Sequence, residues 1–572
     1  MPQHRSPTPA NAWRLGIAAL LCATLTACGG GGGSSDRPAP PPTATPPPVP
    51  APATPTQAEL QGASRLAAQS TFGMGYDAIV RIAEMGPEAW LETQFDTPTT
   101  SHLALMDELL ANYDNGEYPE ITEDVEMLIL SRRLAWWHRT FTAPDAVRQR
   151  VAFALSEIFV VADGIDALAV FPAGLATFYD LLLDNAFGNF RDLLKSVALH
   201  PAMGLYLSHL NNRKADPVAN TFPDENFARE VMQLFSIGLF ELNLDGSLQR
   251  DGSLEPIPTY GNDEIREFAK IFTGLSYGGP AATFGQQNPY FRAPMTMFDA
   301  FHDTGPKTLL NGQTVPTNQT GDQDIDAAID NLFNHPNVGP FMSRLLIQRL
   351  VTSNPSPGYI ERVAGTFNNN GTGTRGDLRA VIKAILLDTE AVTADATAGK
   401  LREPIVRYTH LVRAFDPRSA DGFIFNNGFF LQQVLRQHPQ SSPSVFNFFS
   451  PDHAPAGAIA DANLNAPEFQ ITTATTIVNM SNVVDFAING DFVTDAGDAF
   501  ETVTLDFTPY AALASDMDAL LDRIDLVFTY GQLSAQTRTA IIDATREIPD
   551  PNQRARAAIY LLLISPDYAV RA

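Results

Sequence analysis

The sequence predicts an all-α protein, a large multi-helix body with long functional loops. Three observations carry that expectation. Apolar residues recur three and four apart through most of the chain after Glu59, and no stretch sustains the period-two alternation of a half-buried strand. Helix boundary residues punctuate the pattern, as where Gly86-Pro87 separates two periodic runs and Pro355 and Pro357 follow the run ending near Val351. With 572 residues, 44% hydrophobic and 18% charged, the chain can bury a large core. The body of about 510 residues exceeds the usual single core, so two lobes meeting near residues 300–330 are expected.

The amino end reads as targeting rather than fold. Arg5 and Arg14 precede the apolar run "LGIAALLCATLTA", too short for a favoured spanning helix but suited to a signal-peptide core. The run closes in "LTAC", Leu25 to Cys28, which resembles the lipobox of bacterial lipoproteins. That resemblance implies cleavage after residue 27, lipid attachment at Cys28 and, with Gly29 next, sorting to the outer membrane. The expected location is therefore the bacterial cell envelope, with the membrane reached through the lipid.

Residues 28–57 form a Gly/Ser and then Pro-rich stretch that cannot bury enough surface to fold, and they read as a tether. The helical body occupies 58–572. Both cysteines, Cys22 and Cys28, lie in or beside the signal, so the body has no thiol for a disulfide, a nucleophile or a metal. The formal charge is −26, and removal of Arg5 and Arg14 with the signal makes it −28. Nucleic acid is not an expected partner, because phosphate neutralisation needs a basic surface.

Within the body, helices are expected over "ASRLAAQSTFG", "GYDAIVRIAEM", "PEAWLETQF", "DAVRQRVAFALSEIFVV", "LATFYDLLLDNAFG" and "FRDLLKSVALHPAMGLYLSHL". Further along, "NDEIREFAKIFTGL", "VGPFMSRLLIQRLVTS", "GDLRAVIKAILLD" and "QRARAAIYLLLISPDYAVR" carry the same spacing, with Asp145 and Asp377 as amino caps. Long irregular segments run from Tyr277 to Asp330, Asp416 to Gly428 and Gln437 to Ala466. Loops of such length commonly bind or catalyse.

Several segments in order, among them "VRQRVAFALSEIF", "HPAMGLYLSHLNNRK", "PDENFAREVMQLFSIGL", "FHDTGPKTLLNG", "KLREP" and "SPSVFNFFSPD", resemble the bacterial family called domain of unknown function 1800. The resemblance spans roughly Leu60 to Ala572. It implies a helical, exported protein often encoded beside a second exported family, domain of unknown function 1501, which resembles sulfatases and phosphatases. A sulfatase- or phosphatase-like exported partner is the interaction so implied. The resemblance carries no catalytic residues.

Two stretches offer chemistry. "FPDENFAREVMQLFSIGLFEL", Phe222 to Leu242, reads as one amphipathic helix whose stripe contains Phe227, Val231, Leu234 and Phe235. Glu225 and Arg229 stand four apart in the order that favours an ion pair, and Glu230 lies on a flank with Asn226 and Gln233. In "FHDTGPKTLLNG", His302, Asp303 and Lys307 crowd a Gly/Pro loop, where His supplies a neutral-pH base or metal ligand, Asp orients or ligates, and Lys holds an anion. The alternative is a turn in which Asp303 accepts backbone N–H groups.

Weaker motifs were weighed beside these. Zinc-type histidine spacing is absent, and "GDQDIDAAIDNLF" lacks the Gly and Glu of a calcium loop and reads as a capped helix start. "GLSYG" around Ser276 lacks the strand-to-helix context of a serine-hydrolase elbow.

Two expectations of different class follow. The first is an extracytoplasmic, hydrolase-like enzyme with Glu225, Glu230, His302 and Asp303 in acid/base or divalent-metal roles, and Arg229 and Lys307 holding an anionic group. The second is a noncatalytic surface or assembly protein that acts with an exported partner or through aromatics such as Trp136, Trp137, Phe446, Phe448 and Phe449. They separate on whether His302 and Asp303 fold beside Glu225, Arg229 and Glu230 in a concave site.

Overall fold

The computed structural model describes residues 54–119, 121–393, 399–425, 429–490 and 503–571. The signal segment, Cys28 and the tether as far as residue 53 lie outside the described residues. Helices build nearly all of the regular structure, and the strands are two-residue pieces paired in three antiparallel ladders among the described residues. This is the all-α architecture that the spacing of apolar residues predicts. No described helix is long and apolar enough to cross a membrane.

Local sequence explains many helix ends. The first helix, Gln57–Ser70, opens on a capping box in which Thr56 and Glu59 satisfy each other's backbone N–H groups. Gly86 separates Tyr76–Met85 from Pro87–Asp96, and Pro87 occupies a first helical position that has no N–H to lose. Asp377 caps Leu378–Leu386 by accepting the Ala380 N–H. Asp145 precedes Ala146–Ser156 without capping it, and its carboxylate instead accepts the Thr100 N–H at 3.0 Å.

Neighbouring helices pack as hairpins, as with His102–Asp114 on Asp124–Thr142 and Val338–Leu350 on Pro357–Asn368. Most apolar faces join one large cluster that runs from Ala63 to Tyr568 and includes Phe291, Leu309, Val315 and Ile325, while Leu105, Met106 and Leu109 of the first hairpin pack with Met127 and Leu134 in a second, smaller one. Residues on both sides of the expected lobe boundary near 300–330 contribute to the one large cluster. That region bridges the core because Gly321–Phe333, placed partly in a loop by the sequence, is a helix capped by Thr320. Trp136 and Trp137 are both buried and meet edge to face at 4.8 Å, which fixes them in the core.

Buried helix ends leave carbonyls without intrahelical donors, and arginines from distant segments supply them. Arg571 donates to Ala68 at 3.2 Å and to Leu350 and Val351 at 2.6 and 2.5 Å, joining the ends of two helices to the carboxy-terminal strand. Arg402 reaches Phe528, Arg375 reaches Phe333 and His335, and Arg148 reaches Leu183 and Phe95. A guanidinium suits this task because its five donors lie in a fixed fork and its charge favours the negative end of the helix dipole.

The longest departure from the predicted helices lies in Phe222–Leu242. Only Asn226–Gln233 is helical. Gly238 turns to φ +73°, and the N–H groups of Ile237 and Gly238 both return to the Met232 carbonyl at 2.9 and 3.1 Å. This is a glycine-terminated helix end, and a Cβ there would also sit 2.9 Å from the Phe341 ring. Residues 239–258 then form an irregular arm held by bridges between Phe240 and Pro258, Leu242 and Leu248, and Arg250 and Pro256.

Candidate active site

The sequence candidates fall into two groups with different partners. Arg229 and Glu225 make an ion pair 3.9 Å apart at a half-exposed surface, and Glu225 precedes the helix without a capping bond. Glu230 points inward, with burial raising its carboxyl above the usual range. No described hydrogen bond or ion pair joins these three residues to His302, Asp303 or Lys307.

The second group forms a buried knot instead. His302 Nε2 and Lys307 Nζ both reach Asp324 Oδ2, at 2.9 and 2.5 Å, while His302 Nδ1 faces the Thr273 carbonyl at 2.9 Å. Lys307 also donates to the carbonyls of Asp303 and Gly305. Asp303 accepts the Gly305 N–H at 2.8 Å, the turn geometry expected of an Asp in this loop. His302, Lys307 and Asp324 are almost wholly buried and line none of the main cavities, so their donors and acceptors hold the loop to Gly321–Phe333. Asp324 was the partner that sequence spacing could not supply.

Ser276, in the "GLSYG" motif, is buried in a two-residue strand and donates to Asn211 Oδ1 at 2.6 Å. Among the described residues no group of three or more His, Cys, Asp or Glu is arranged to hold a metal ion.

A different pair of carboxyl groups lies at a cavity. Glu157 follows the helix Ala146–Ser156, and Glu403 immediately precedes Pro404–Ala414, where the amino-terminal dipole favours a negative charge. Glu157 Oε1 accepts from Asn447 Nδ2 at 3.1 Å and lies 3.6 Å from Arg349. Glu403 Oε2 accepts from Gln437 Nε2 at 2.8 Å, and its Oε1 lies 3.9 Å from Arg150. One oxygen of each, Glu157 Oε2 and Glu403 Oε1, meets no donor, while the two carboxyl groups are hydrogen-bonded to one another. A proton kept on Glu157 allows its carboxyl group to donate to Glu403.

The environments push the two groups apart. Burial, and then the charge of Glu403, raise Glu157 to about 8 despite Arg349 and Arg150. Burial also acts against ionised Glu403, but Lys400, Arg150 and Arg349 together outweigh it and hold that carboxyl below the ordinary range. Glu157 is thus the protonated partner at neutral pH and Glu403 the ionised one. Such a pair supplies an acid in a place where an isolated carboxylate would be costly.

Glu157 borders a half-open cavity of about 580 Å³, and Glu403 is not part of its lining. Leu234, Leu239, Phe240, Leu345, Val445 and Phe446 give the cavity an apolar wall, and Arg349, Gln348 and Arg344 add donors. Gln348 is held by its bonds to the Ser353 and Pro451 carbonyls, and Arg349 lies 4.7 Å from the Phe449 ring centre. Arg344 pairs with Asp452 at the rim. The shortened helix is what builds this cavity, because the chain after Gly238 turns to supply Leu239, Phe240 and Leu248.

Sequence reasoning passed over the pair because its members stand 246 residues apart, Glu157 in a run read as ordinary helix and Glu403 in "KLREP", which carried no structural reading. The available signal was Glu157 alone in the apolar run "VAFALSEIFVV", since a charge in such a run is seldom buried without a partner.

No curated protein and no solved structure matches the chain. The segments that carry the sequence resemblance contribute Arg150, Glu157, Arg349, Glu403 and Asn447 to this one place, and a family match covers residues 65–570, so the chain belongs to the protein family of unknown function DUF1800.

Proposed function

We propose that this protein is an exported, lipid-anchored, hydrolase-like enzyme that works by proton transfer from Glu157 at the apolar cavity. The observation that carries the reading is a buried carboxyl group with a raised pKa that borders a cavity and is paired with an ionised one outside the lining. Perturbed acids in clefts mark functional sites more often than solvated charges do. The cavity suits a substrate with an apolar body and an oxygen atom at the bond to be broken. Glu157 protonates that oxygen as it leaves, water supplies hydroxyl to the other fragment, and the remaining water proton returns to Glu157. Arg349 and Arg150 stabilise the carboxylate between these steps, and Glu403 acts as a positioning residue whose charge raises the proton affinity of Glu157.

The test is hydrolysis of aryl esters and aryl glycosides with graded apolar chains, compared between the parent chain and Glu157→Gln. General acid catalysis contributes about 10²- to 10⁴-fold, so the variant is expected to lose at least about 100-fold in kcat with its melting temperature kept. Equal turnover by parent and variant, or no turnover on any substrate of the panel, sinks the proposal.

A further inference from the structure

A second cavity, of about 590 Å³, opens between Tyr76–Met85, Met517–Thr529 and the segment after Pro404–Ala414. It differs in kind from the first. Four arginines, Arg81, Arg413, Arg418 and Arg523, face three aspartates, Asp77, Asp416 and Asp506, a local formal charge of +1. The whole chain carries −26, so this is a cationic spot on an acidic molecule.

Several of these charges have structural duties. Arg413 is held by the carbonyls of Gly73, Thr140 and Phe141 at 2.7, 2.6 and 3.0 Å. Arg418 pairs with Asp416, and Asp506 accepts the Thr508 N–H at 2.9 Å. Arg81 and Arg523 remain, and neither makes an ion pair with a described carboxylate. The Arg523 guanidinium lies 3.5 Å from the Tyr76 ring centre, which fixes its plane and leaves its N–H edge for another group. Asp77, beside Tyr76, is exposed at the same wall.

We infer that this cavity binds an acidic sugar unit, its anionic group held by Arg81 and Arg523 and its hydroxyl groups by Asp77. The chemistry is assigned residue by residue. A planar guanidinium pre-oriented on an aromatic face recognises a carboxylate or phosphate oxygen pair. A carboxylate at the same mouth accepts the ring hydroxyl hydrogens of a sugar, and those bonds offset its repulsion of the anionic group. The site is independent of Glu157, and the two share no lining residue.

Isothermal titration of the full chain with glucuronate, glucose 6-phosphate, glucose and inorganic phosphate, at about 20 mM salt where surface charges are weakly screened, tests the assignment. Glucuronate against glucose 6-phosphate shows whether carboxylate or phosphate is preferred, and binding of either one supports the site. Glucose and inorganic phosphate are expected to bind at least about tenfold more weakly than the better acidic sugar, since glucose lacks the anionic group and phosphate the sugar ring with its hydroxyl groups. Arg523→Ala and, separately, Arg81→Gln are expected to weaken that sugar about tenfold with an unchanged melting temperature. The inference is overturned if neither acidic sugar binds, if glucose or phosphate alone binds as tightly, or if both variants keep the parent affinity. Glu157→Gln is expected to leave this binding unchanged, which separates its failure from that of the proposed enzyme.

Discussion

Glu157 shows how one residue's chemistry depends on what surrounds it. In an unfolded chain the group gives up its proton near 4.5, whereas in the fold it keeps that proton up to about 8. Folding therefore retains a proton, so its contribution to stability is full below about 4.5 and is lost as pH rises through about 8. Glu403, held below its ordinary value, has the opposite sign and contributes stability that is lost only as pH falls toward acid. Denaturation by urea between about pH 5 and 9 is expected to show parent stability falling with pH, and Glu157→Gln losing that part of the slope. An identical slope in both proteins would place the raised group elsewhere. His302 teaches the converse: its ring nitrogens are occupied by the Thr273 carbonyl and Asp324, so a residue type suited to catalysis holds a loop instead.

At the scale of elements, local signals set many boundaries and failed at one that matters. Gly86-Pro87 and Asp377 place helix ends correctly because the capping chemistry is contained in the few residues on the page. Phe222–Leu242 keeps a helical spacing beyond Gln233, yet the helix stops there, and the turns that follow are held by Ser236 Oγ donating to the Val231 carbonyl at 2.5 Å and by Gly238 turning left-handed. The buried carboxy ends of helices depend on donors hundreds of residues away, which no local window contains. Arg571→Met removes the donors of Ala68, Leu350 and Val351 while keeping the apolar stem. The expected loss is about 3 kcal/mol or more in urea unfolding, since each orphaned buried carbonyl costs about 1–3 kcal/mol. A change below about 0.5 kcal/mol would show that these bonds are dispensable.

For the whole molecule, the proposed envelope location rests on the amino-terminal segment and the lipobox-like "LTAC". Metabolic labelling with a radioactive fatty acid is expected to mark the parent chain and to be lost in Cys28→Ala, and equal labelling of both would remove the anchor from the proposal. The sequence by itself determined helical class, an acidic body without thiols, and membership in a family matched over residues 65–570. These properties are sums or short-range periods, so they survive without knowledge of the fold. Tertiary structure alone decided that His302 and Lys307 meet on Asp324 while Arg229 pairs with Glu225. It also brought Glu157, at the end of one helix, against Glu403, at the start of another. The physical reason is range: a hydrogen bond between carboxyl groups and a raised pKa depend on separations of a few ångströms and on exclusion of water, and long-range packing fixes both.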